Sequence, residues 1–322
     1  MVGVVDVTLR VRRYRPDGDG AQGGGTRWAQ DYHIRTAADS SVLDCLMQVK
    51  RTLDPTLAFR YSCGHGMCGS DAVLVDGVPA LLCKAKVRYF LGHAAPKERP
   101  RTEGDGRDAD GFRRTVAARG NAKAADDAVD APSPDPTHAF LEVAPLTAFA
   151  TLRDLIIDID PMLDAIKRMK PYLQAGGVDA ADVLPTTAEG KTDVFELLQS
   201  PEQLAAYEQL TNCIACGVCE GGCPIYLGDK PFVGPAPLVA AMRFINDSRD
   251  QATDERYGLL DDPAAIWACR GLRVCTQHCP RGIDVAGNLW VTMKALKARK
   301  AAAEQAAAGG DAAAPSRTAG ER

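Results

Sequence analysis

The sequence lacks a long apolar segment, an export signal and an excess of basic charge. No apolar run approaches the roughly 20 residues that span a bilayer, so we expect any membrane contact to come through a partner. Residues 1–12 alternate apolar and polar side chains without the apolar core of a signal peptide, which favours the cytosolic side of a membrane. The net charge of −4 argues against a nucleic-acid-binding protein.

Cysteine, by contrast, is abundant. The chain has 11 cysteines, and all but one fall within the segments 63–83, 213–223 and 269–279. Tight clusters in a chain without an export signal indicate metal ligands, whereas disulfides would suit a scattered set in an exported protein. Cys45 stands alone in an apolar helical pattern and is expected to be a small core residue.

The first part of the chain has the patterns of strands around one helix. Ser41 followed by Asp44 is a helix-start signal, and Asp76-Gly77 is a hairpin turn. Alternating or β-branched runs predict strands at Val5–Val11, Trp28–Arg35, Ala72–Val75, Val78–Leu82 and Phe140–Val143. These elements predict a small α+β domain.

Composition divides the rest of the chain. Segment 96–136 is rich in Ala, Asp, Arg, Gly and Pro without periodicity, which predicts a disordered insertion; a surface domain with a poor core is the alternative. Helical apolar stripes follow at Pro161–Leu173, Leu238–Ile245 and Val285–Leu296. We therefore expect a first domain over 1–145, a helical domain over 146–300 and a disordered tail over 301–322.

The strongest motif is a run of four cysteines closed by a proline. It reads Cys213-x2-Cys216-x2-Cys219-x3-Cys223-Pro224, which is the spacing of bacterial ferredoxins. In that arrangement the first three thiolates surround one cuboidal cluster and the fourth binds the other cluster. Zinc is the alternative, but zinc sites more often show two separated CxxC pairs.

A second run repeats this template with one cysteine missing. It reads Cys269-x2-Leu272-x2-Cys275-x3-Cys279-Pro280, so Leu272 stands where the second cysteine would be. If the runs exchange their last ligands, a 4Fe–4S cluster receives Cys213, Cys216, Cys219 and Cys279, and the other cluster receives Cys223, Cys269 and Cys275. Three thiolates with an aliphatic side chain at the vacant corner predict a 3Fe–4S cluster. The alternative is a core role for Leu272, with water completing a 4Fe–4S cluster.

The cysteines nearest the N-terminus have a third kind of spacing. Cys63-x4-Cys68-x2-Asp71, followed by Cys83, matches the plant-type 2Fe–2S pattern at three of its four positions. Asp71 occupies the remaining position. A carboxylate is a harder ligand than a thiolate but can bind ferric iron, so we predict that Asp71 is a ligand. The alternative is that Asp71 caps a turn. His65 is expected to be a loop residue, since Rieske-type sites use two histidines.

Together these motifs resemble the iron–sulfur subunit of the succinate dehydrogenase and fumarate reductase family. The resemblance covers most of the chain outside 96–136 and the tail, and its motifs agree in order and spacing. Besides the first cysteine run, the matching segments are Phe59–Asp71, Leu152–Leu155, Lys170–Leu173, Ser200–Gln203, Gly234–Ala236, Asp247–Asp250, Trp267–Cys269 and Cys279–Gly282. Some family members also have aspartate at the third 2Fe–2S position.

The resemblance implies a beta-grasp, plant-type ferredoxin domain followed by an all-α, bacterial-type ferredoxin domain. It implies a partner flavoprotein with FAD and a membrane-anchor subunit, at the cytoplasmic face of a bacterial inner membrane. Electrons from succinate would pass from FAD through the 2Fe–2S, 4Fe–4S and 3Fe–4S clusters to a quinone. Such a subunit makes no acid–base contribution, so no catalytic residue is expected.

At the quinone end the sequence departs from the family pattern. Many members have an aromatic residue after the Cys-Pro of the first run and a histidine after the first cysteine of the second run. Here Ile225 follows Pro224, and Arg270 follows Cys269. The candidates for lining a quinone pocket are Pro224, Tyr226, Trp267 and Arg270, and packing around the 3Fe–4S cluster is the alternative role.

Three functional hypotheses follow. The first is a succinate dehydrogenase subunit, with quinol:fumarate reductase as its reverse-running variant, which the ligand set does not distinguish. The second is a stand-alone soluble ferredoxin-type carrier, and the fusion of two ferredoxin types argues against it. The third is a zinc-stabilised interaction protein, which a coloured preparation would exclude.

Overall fold

The computed structural model describes residues 3–18, 24–92, 137–174 and 197–310. The side chains of residues 307–310 are not described. The predicted insertion at 96–136 and the predicted tail beyond residue 310 lie outside these ranges.

A mixed five-stranded sheet forms the first part of the described chain. Its strands are β1 (Val4–Pro16), β2 (Gly25–Ala37), β3 (Ala72–Val75), β4 (Val78–Leu81) and β5 (His138–Ala144). They lie side by side in the order β2-β1-β5-β3-β4. Strands β1 and β5 run parallel, with Val7 opposite Ala139, and the other neighbours are antiparallel. The strands predicted from alternation are therefore confirmed.

Helix α1 (Val42–Thr52) covers one face of this sheet. It begins with a capping box, in which Ser41 Oγ accepts from the Asp44 amide and the Asp44 carboxylate accepts from the Ser41 amide. Cys45 is fully buried on its inner face, as predicted. Sheet and helix thus form the α+β domain that the sequence predicted.

The first core extends past the predicted boundary at residue 145. Strands β6 (Thr151–Arg153) and β7 (Ile156–Ile157) follow, and apolar side chains as far as Met162 belong to the same buried cluster. A buried ion pair explains why the chain after residue 145 stays packed on the first core. Arg13 on β1 is buried and donates to Asp154 at 2.9 Å and to Asp54 at 2.6 Å, which holds the chain after β5 against the sheet.

The rest of the described chain is helical. Its α-helices are α2 (Asp160–Arg168), α3 (Pro201–Ala205), α4 (Glu208–Thr211), α5 (Val218–Gly222), α6 (Pro235–Ile245), α7 (Thr253–Leu260), α8 (Val274–Gln277) and α9 (Val285–Gly310). Short 3₁₀ turns lie at Val87–Phe90 and Ile266–Ala268. A second apolar cluster, centred on α6 and α9, forms the core of this part.

A buried ion pair stabilises the helical core. Arg256 on α7 is fully buried and donates to both carboxylate oxygens of Asp250, at 2.8 and 3.0 Å. Its remaining protons go to the carbonyl oxygens of Met169, Lys170 and Tyr172. Because every donor has an acceptor, the burial of this charge is compensated, and the loop after α2 is held against α7.

The predicted start of a disordered tail at residue 301 was wrong for its first residues. Helix α9 continues to Gly310. The reason is composition, because alanine has the highest helix propensity and six of the ten residues from 301 to 310 are alanine. No helix in the described ranges is long and apolar enough to cross a membrane.

Candidate metal centres

The loop after α1 brings the sulfurs of Cys63 and Cys68 close together and directs backbone amides at Cys63. Cys63 Sγ accepts from the amides of His65 at 3.5 Å and Met67 at 3.3 Å, and these bonds lower the pKa of Cys63 to about 6. Cys68 lies beside it, with its sulfur 3.2 Å from Ser70 Oγ. A lowered pKa favours the thiolate, which is the form that binds iron.

Cys83 and Asp71 complete this group from the hairpin side. Burial, reinforced by the neighbouring Asp71, raises the pKa of Cys83 to about 12. Asp71 is itself 3 % exposed, and its Oδ2 accepts from the Cys83 amide at 2.8 Å. Its Oδ1 is buried without a hydrogen-bond partner among the described residues. A buried carboxylate oxygen with no donor is expensive unless a cation compensates it, and ferric iron at the 2Fe–2S position fits that need.

Substitution of Asp71 tests its role as a ligand. We expect Asp71→Ala to lose most of the 2Fe–2S cluster, because one ligand is gone, while Asp71→Cys retains the cluster with an altered visible and electron paramagnetic resonance (EPR) spectrum. Asp76→Asn is the matched control, since the Asp76 carboxylate already accepts from the Glu142 amide in a turn away from the sulfurs. Full cluster content in Asp71→Ala, with an unchanged spectrum in Asp71→Cys, would contradict ligation.

The first cysteine run wraps a short loop and the start of α5. Ala215 and Gly217 adopt positive φ values of 49° and 77°, which curls the backbone between the cysteines. Burial raises the pKa of Cys213, and raises the pKa of Cys216 to about 12. The charge of Cys279 from the second run contributes to both shifts, so its sulfur lies near theirs.

Cys219 is the innermost member of this group. Burial raises the pKa of its thiol well above the ordinary value, the neighbouring Glu220 adds to the shift, and Cys216 and Cys213 contribute less. On the other side, the Ile283 amide donates to Cys279 Sγ at 3.4 Å. Ionising the thiols of Cys213, Cys216 and Cys219 together is unfavourable unless bound iron neutralises their charge. The group therefore fits a 4Fe–4S cluster.

The remaining three cysteines line a second space. Cys223, Cys269 and Cys275 surround it together with Leu272. Burial, followed by the charges of Cys223 and Cys269, raises the pKa of Cys275 to about 12. Cys223, the last cysteine of the first run, thus lies with two cysteines of the second run, and Cys279, the last of the second run, lies near those of the first. This is the arrangement expected if the two runs exchange their last ligands. Leu272 presents no donor, so the set fits a 3Fe–4S cluster.

The two ferredoxin parts touch at the cluster loops. Gly69 has φ +69°, and a Cβ built there would lie 2.7 Å from Cys216 Cβ and 3.3 Å from the Ile214 carbonyl oxygen. The backbone that follows Cys68 thus packs directly on the loop that carries Cys216. This contact was not foreseen in the sequence, which placed Gly69 only within a loop that curls around the first cluster.

Glu220 is a second feature that the spacing argument missed. It lies inside the first run and is fully buried, and burial raises the pKa of its carboxyl group. Its Oε1 accepts from the Ala236 amide at the start of α6 at 2.7 Å, and its Oε2 accepts from the Cys219 thiol at 2.9 Å. Glu220 therefore joins the first run to helix α6. An acidic residue between ligand cysteines is the sequence signal that could have revealed it.

A wide cavity opens beside the three-cysteine group. Its volume is about 620 Å³, and its lining includes Pro224, Trp267 and Arg270, with Ile225 and Lys230. The Trp267 indole donates to Asp261 Oδ1 at 2.7 Å, which fixes the ring. Three of the four candidate quinone-pocket residues thus share one cavity.

Tyr226 is the exception. Its ring packs against Phe149 at 6.3 Å and Phe232 at 6.4 Å between ring centres, and it lies against Gly234. It is absent from the described lining of the cavity. Tyr226 therefore packs among the aromatic side chains of Phe149 and Phe232, and its role in a quinone pocket stays a prediction.

These groups differ from a single-ion site. Within the part of the chain that the structure describes, no three His, Cys, Asp or Glu side chains form the compact arrangement that holds one metal ion. The fold and the grouped cysteines define an iron–sulfur protein that joins a plant-type and a bacterial-type ferredoxin module.

Known proteins agree with this class. Residues 8–164 match the 2Fe-2S iron-sulfur cluster binding domain, and residues 209–283 match the 4Fe-4S dicluster domain. The chain is 29% identical over 281 residues to the fumarate reductase iron-sulfur subunit of Mycobacterium tuberculosis, covering 87% of this chain and 89% of that protein. It is also 29% identical over 281 residues to the mitochondrial succinate dehydrogenase [ubiquinone] iron-sulfur subunit 2 of Oryza sativa, covering 86% and 71%.

The overall fold is shared with a solved chain. A chain of the Mycobacterium smegmatis Sdh1 complex in the apo form superposes with a TM-score of 0.61 at 21% identity, covering 92% of this chain and 98% of that one. The chain belongs to the family of iron–sulfur subunits of succinate dehydrogenase and fumarate reductase. It is one subunit of a multi-subunit oxidoreductase, and this subunit contains the 2Fe–2S and 4Fe–4S cluster domains.

Proposed function

We propose that this subunit transfers electrons between a FAD-bearing flavoprotein and a membrane quinone through three clusters in series. The clusters, when bound, supply one-electron redox chemistry. The protein supplies the ligands Cys63, Cys68, Asp71 and Cys83 for 2Fe–2S; Cys213, Cys216, Cys219 and Cys279 for 4Fe–4S; and Cys223, Cys269 and Cys275 for 3Fe–4S. The observation that carries the proposal is the grouping of these side chains into three adjoining sets.

The order of the sets supports a directed path. The Gly69–Cys216 contact supports a position of the first set beside the second. The influence of Cys279 on Cys216 and of Cys223 on Cys275 supports a position of the second set beside the third. Cys83 and Cys275 are buried and most of the other proposed ligand cysteines are half-buried, and such partial exclusion of water tunes the potentials of bound clusters. The chain itself holds the ligands in place and moves no proton on succinate.

The vacant corner of the third set gives a direct prediction. Leu272→Cys should convert the 3Fe–4S cluster into a 4Fe–4S cluster, because the fourth thiolate then completes the ligand set. Low-temperature EPR of the oxidised protein should show the 3Fe–4S signal in the parent and its loss in the variant. Leu272→Val is the control, since it changes shape without adding a ligand. A 4Fe–4S signal from this site in the parent protein would refute the role of Leu272.

The 620 Å³ cavity is the proposed quinone site. It adjoins the third set through Pro224 and Arg270, which line both spaces. The Trp267 ring offers an apolar face, and Arg270 offers a cationic donor for a quinone oxygen. Arg270→Gln and Trp267→Leu should raise the KM for quinone with little change in succinate–dye activity.

The partners and location follow from the same scheme. We infer a flavoprotein at the exposed side of the 2Fe–2S loop and a membrane anchor at the cavity, at the cytoplasmic face of a bacterial inner membrane. Fumarate reduction by quinol is the second candidate direction. It is favoured by the relatives in Mycobacterium tuberculosis and Haemophilus influenzae, which are named fumarate reductase iron-sulfur subunits.

The decisive experiment is low-temperature EPR of the membrane complex, oxidised and then reduced with succinate. We expect a 3Fe–4S signal in the oxidised sample and a 2Fe–2S signal after succinate. An iron-free or zinc-containing complex would refute the proposal. Midpoint potentials and the quinone in the membrane distinguish succinate oxidation from fumarate reduction.

A further inference from the structure

Arg281 lies at the junction of two proposed cluster sites and has no acidic partner in the part of the chain that the structure describes. It follows Cys279-Pro280, and its Nη1 donates to Met67 Sδ at 2.9 Å, 214 residues away in the chain. Its Nε is buried and has no hydrogen-bond partner among the described residues. Within the described ranges no Asp or Glu side chain forms an ion pair with it.

Arg281 lies next to proposed ligands of two different clusters. On one side Cys279 belongs to the four-iron group. On the other side Met67 precedes Cys68, and the Met67 amide donates to Cys63 Sγ at 3.3 Å. A turn holds the arginine in this place, with the Gly282 amide donating to the Cys279 carbonyl oxygen at 3.1 Å.

We propose that Arg281 is a positioning residue whose fixed positive charge raises the reduction potentials of both the 2Fe–2S and the 4Fe–4S clusters. Thiolate-bound clusters are anionic, and reduction adds one more negative charge to each. A guanidinium is always protonated, and inside a protein its attraction for that added charge is only partly screened. The side chain also links the loops of the two clusters, so one charge acts on both. This inference rests on the proposed function, because it requires that both clusters bind.

Redox titration monitored by EPR tests the inference in the assembled complex. Arg281→Gln should lower both midpoint potentials, each by about a tenfold change in the reduction equilibrium, which is about 59 mV for a one-electron couple. Arg281→Lys should restore most of the shift, since it keeps the charge. Arg273→Gln is the matched control. It removes the same charge near the second run, but Arg273 is already paired with Asp284 and 55 % exposed, so neither potential should move.

The outcomes separate this inference from the proposed function. Unchanged potentials in Arg281→Gln, in a complex with all its clusters, overturn the role of Arg281 alone. A shift that Arg281→Lys does not restore also overturns it, because it points to loop packing rather than charge. If Arg281→Gln fails to assemble, Met67→Leu replaces it as the test variant.

Met67→Leu removes the sulfur acceptor of Arg281 and should lower the 2Fe–2S potential more than the 4Fe–4S potential. If both potentials equal those of the parent complex, the inference is overturned. A parent complex without clusters refutes the proposed function instead.

Discussion

Replacing Cys279 with alanine should remove the four-iron cluster and leave the three-iron cluster, although Cys279 closes the cysteine run that supplies the three-iron site. The reason is spatial, because its charge acts on Cys213 and Cys216 of the other run. Alanine offers no donor, so the 4Fe–4S site keeps only three thiolates. We expect iron content to fall by about four per chain and electron transfer from succinate to quinone to stop.

Cys223→Ala is the reciprocal experiment. It should remove the 3Fe–4S signal and leave the 4Fe–4S cluster, since Cys223 lies with Cys269 and Cys275. Cys45→Ala is the control for cysteine loss in general, because Cys45 is fully buried in the first core and belongs to none of the three ligand groups. If Cys279→Ala instead loses the three-iron signal, each run binds its own cluster and the exchange is refuted.

The parts of the fold and site that could be predicted from the sequence are those set by local spacing. Alternation over Val5–Val11 predicted β1, and Ser41 with Asp44 predicted the start of α1, because both signals arise from neighbouring residues. The exchange of last ligands between the cysteine runs is a prediction of the same local kind, since the x2-x2-x3 spacing limits which sulfurs can reach one cluster.

What the sequence did not reveal depends on contacts between distant segments. The Arg281–Met67 and Gly69–Cys216 contacts join parts of the chain that have no common local pattern. Tyr226 was assigned to the quinone cavity from its neighbours in sequence, whereas its ring follows the aromatic surface formed by Phe149 and Phe232. Such placements are decided by packing across the domain boundary, which one sequence without a structure does not specify.

The second large effect is expected at the contact between the cluster loops. Gly69→Ala should destabilise the protein by about 2–5 kcal/mol, combining the strain of a positive φ with a side chain forced into a packed site. The φ value is +69°, and the added methyl group would lie 2.7 Å from Cys216 Cβ, closer than real Cβ atoms approach. Against a typical total stability of about 5–15 kcal/mol, this is a large fraction. Because the displaced neighbour carries a proposed 4Fe–4S ligand, the variant should also lose iron from both loops. Denaturant-unfolding midpoints and iron content measure the two effects.

Two other glycines separate strain from the clash. Gly18 has φ +83° with nothing within 4 Å of an added Cβ, so Gly18→Ala should cost only the strain, about 1–2 kcal/mol, with full iron content. Gly258 lies within helix α7 in open space, so Gly258→Ala should stabilise the chain by up to about 1 kcal/mol. If Gly69→Ala behaves like Gly18→Ala and keeps both clusters, the two loops are not in the close contact that places the first cluster beside the second. The proposed electron transfer from the 2Fe–2S group to the 4Fe–4S group would then lack its structural basis, because contacts within the chain would no longer hold the two groups side by side.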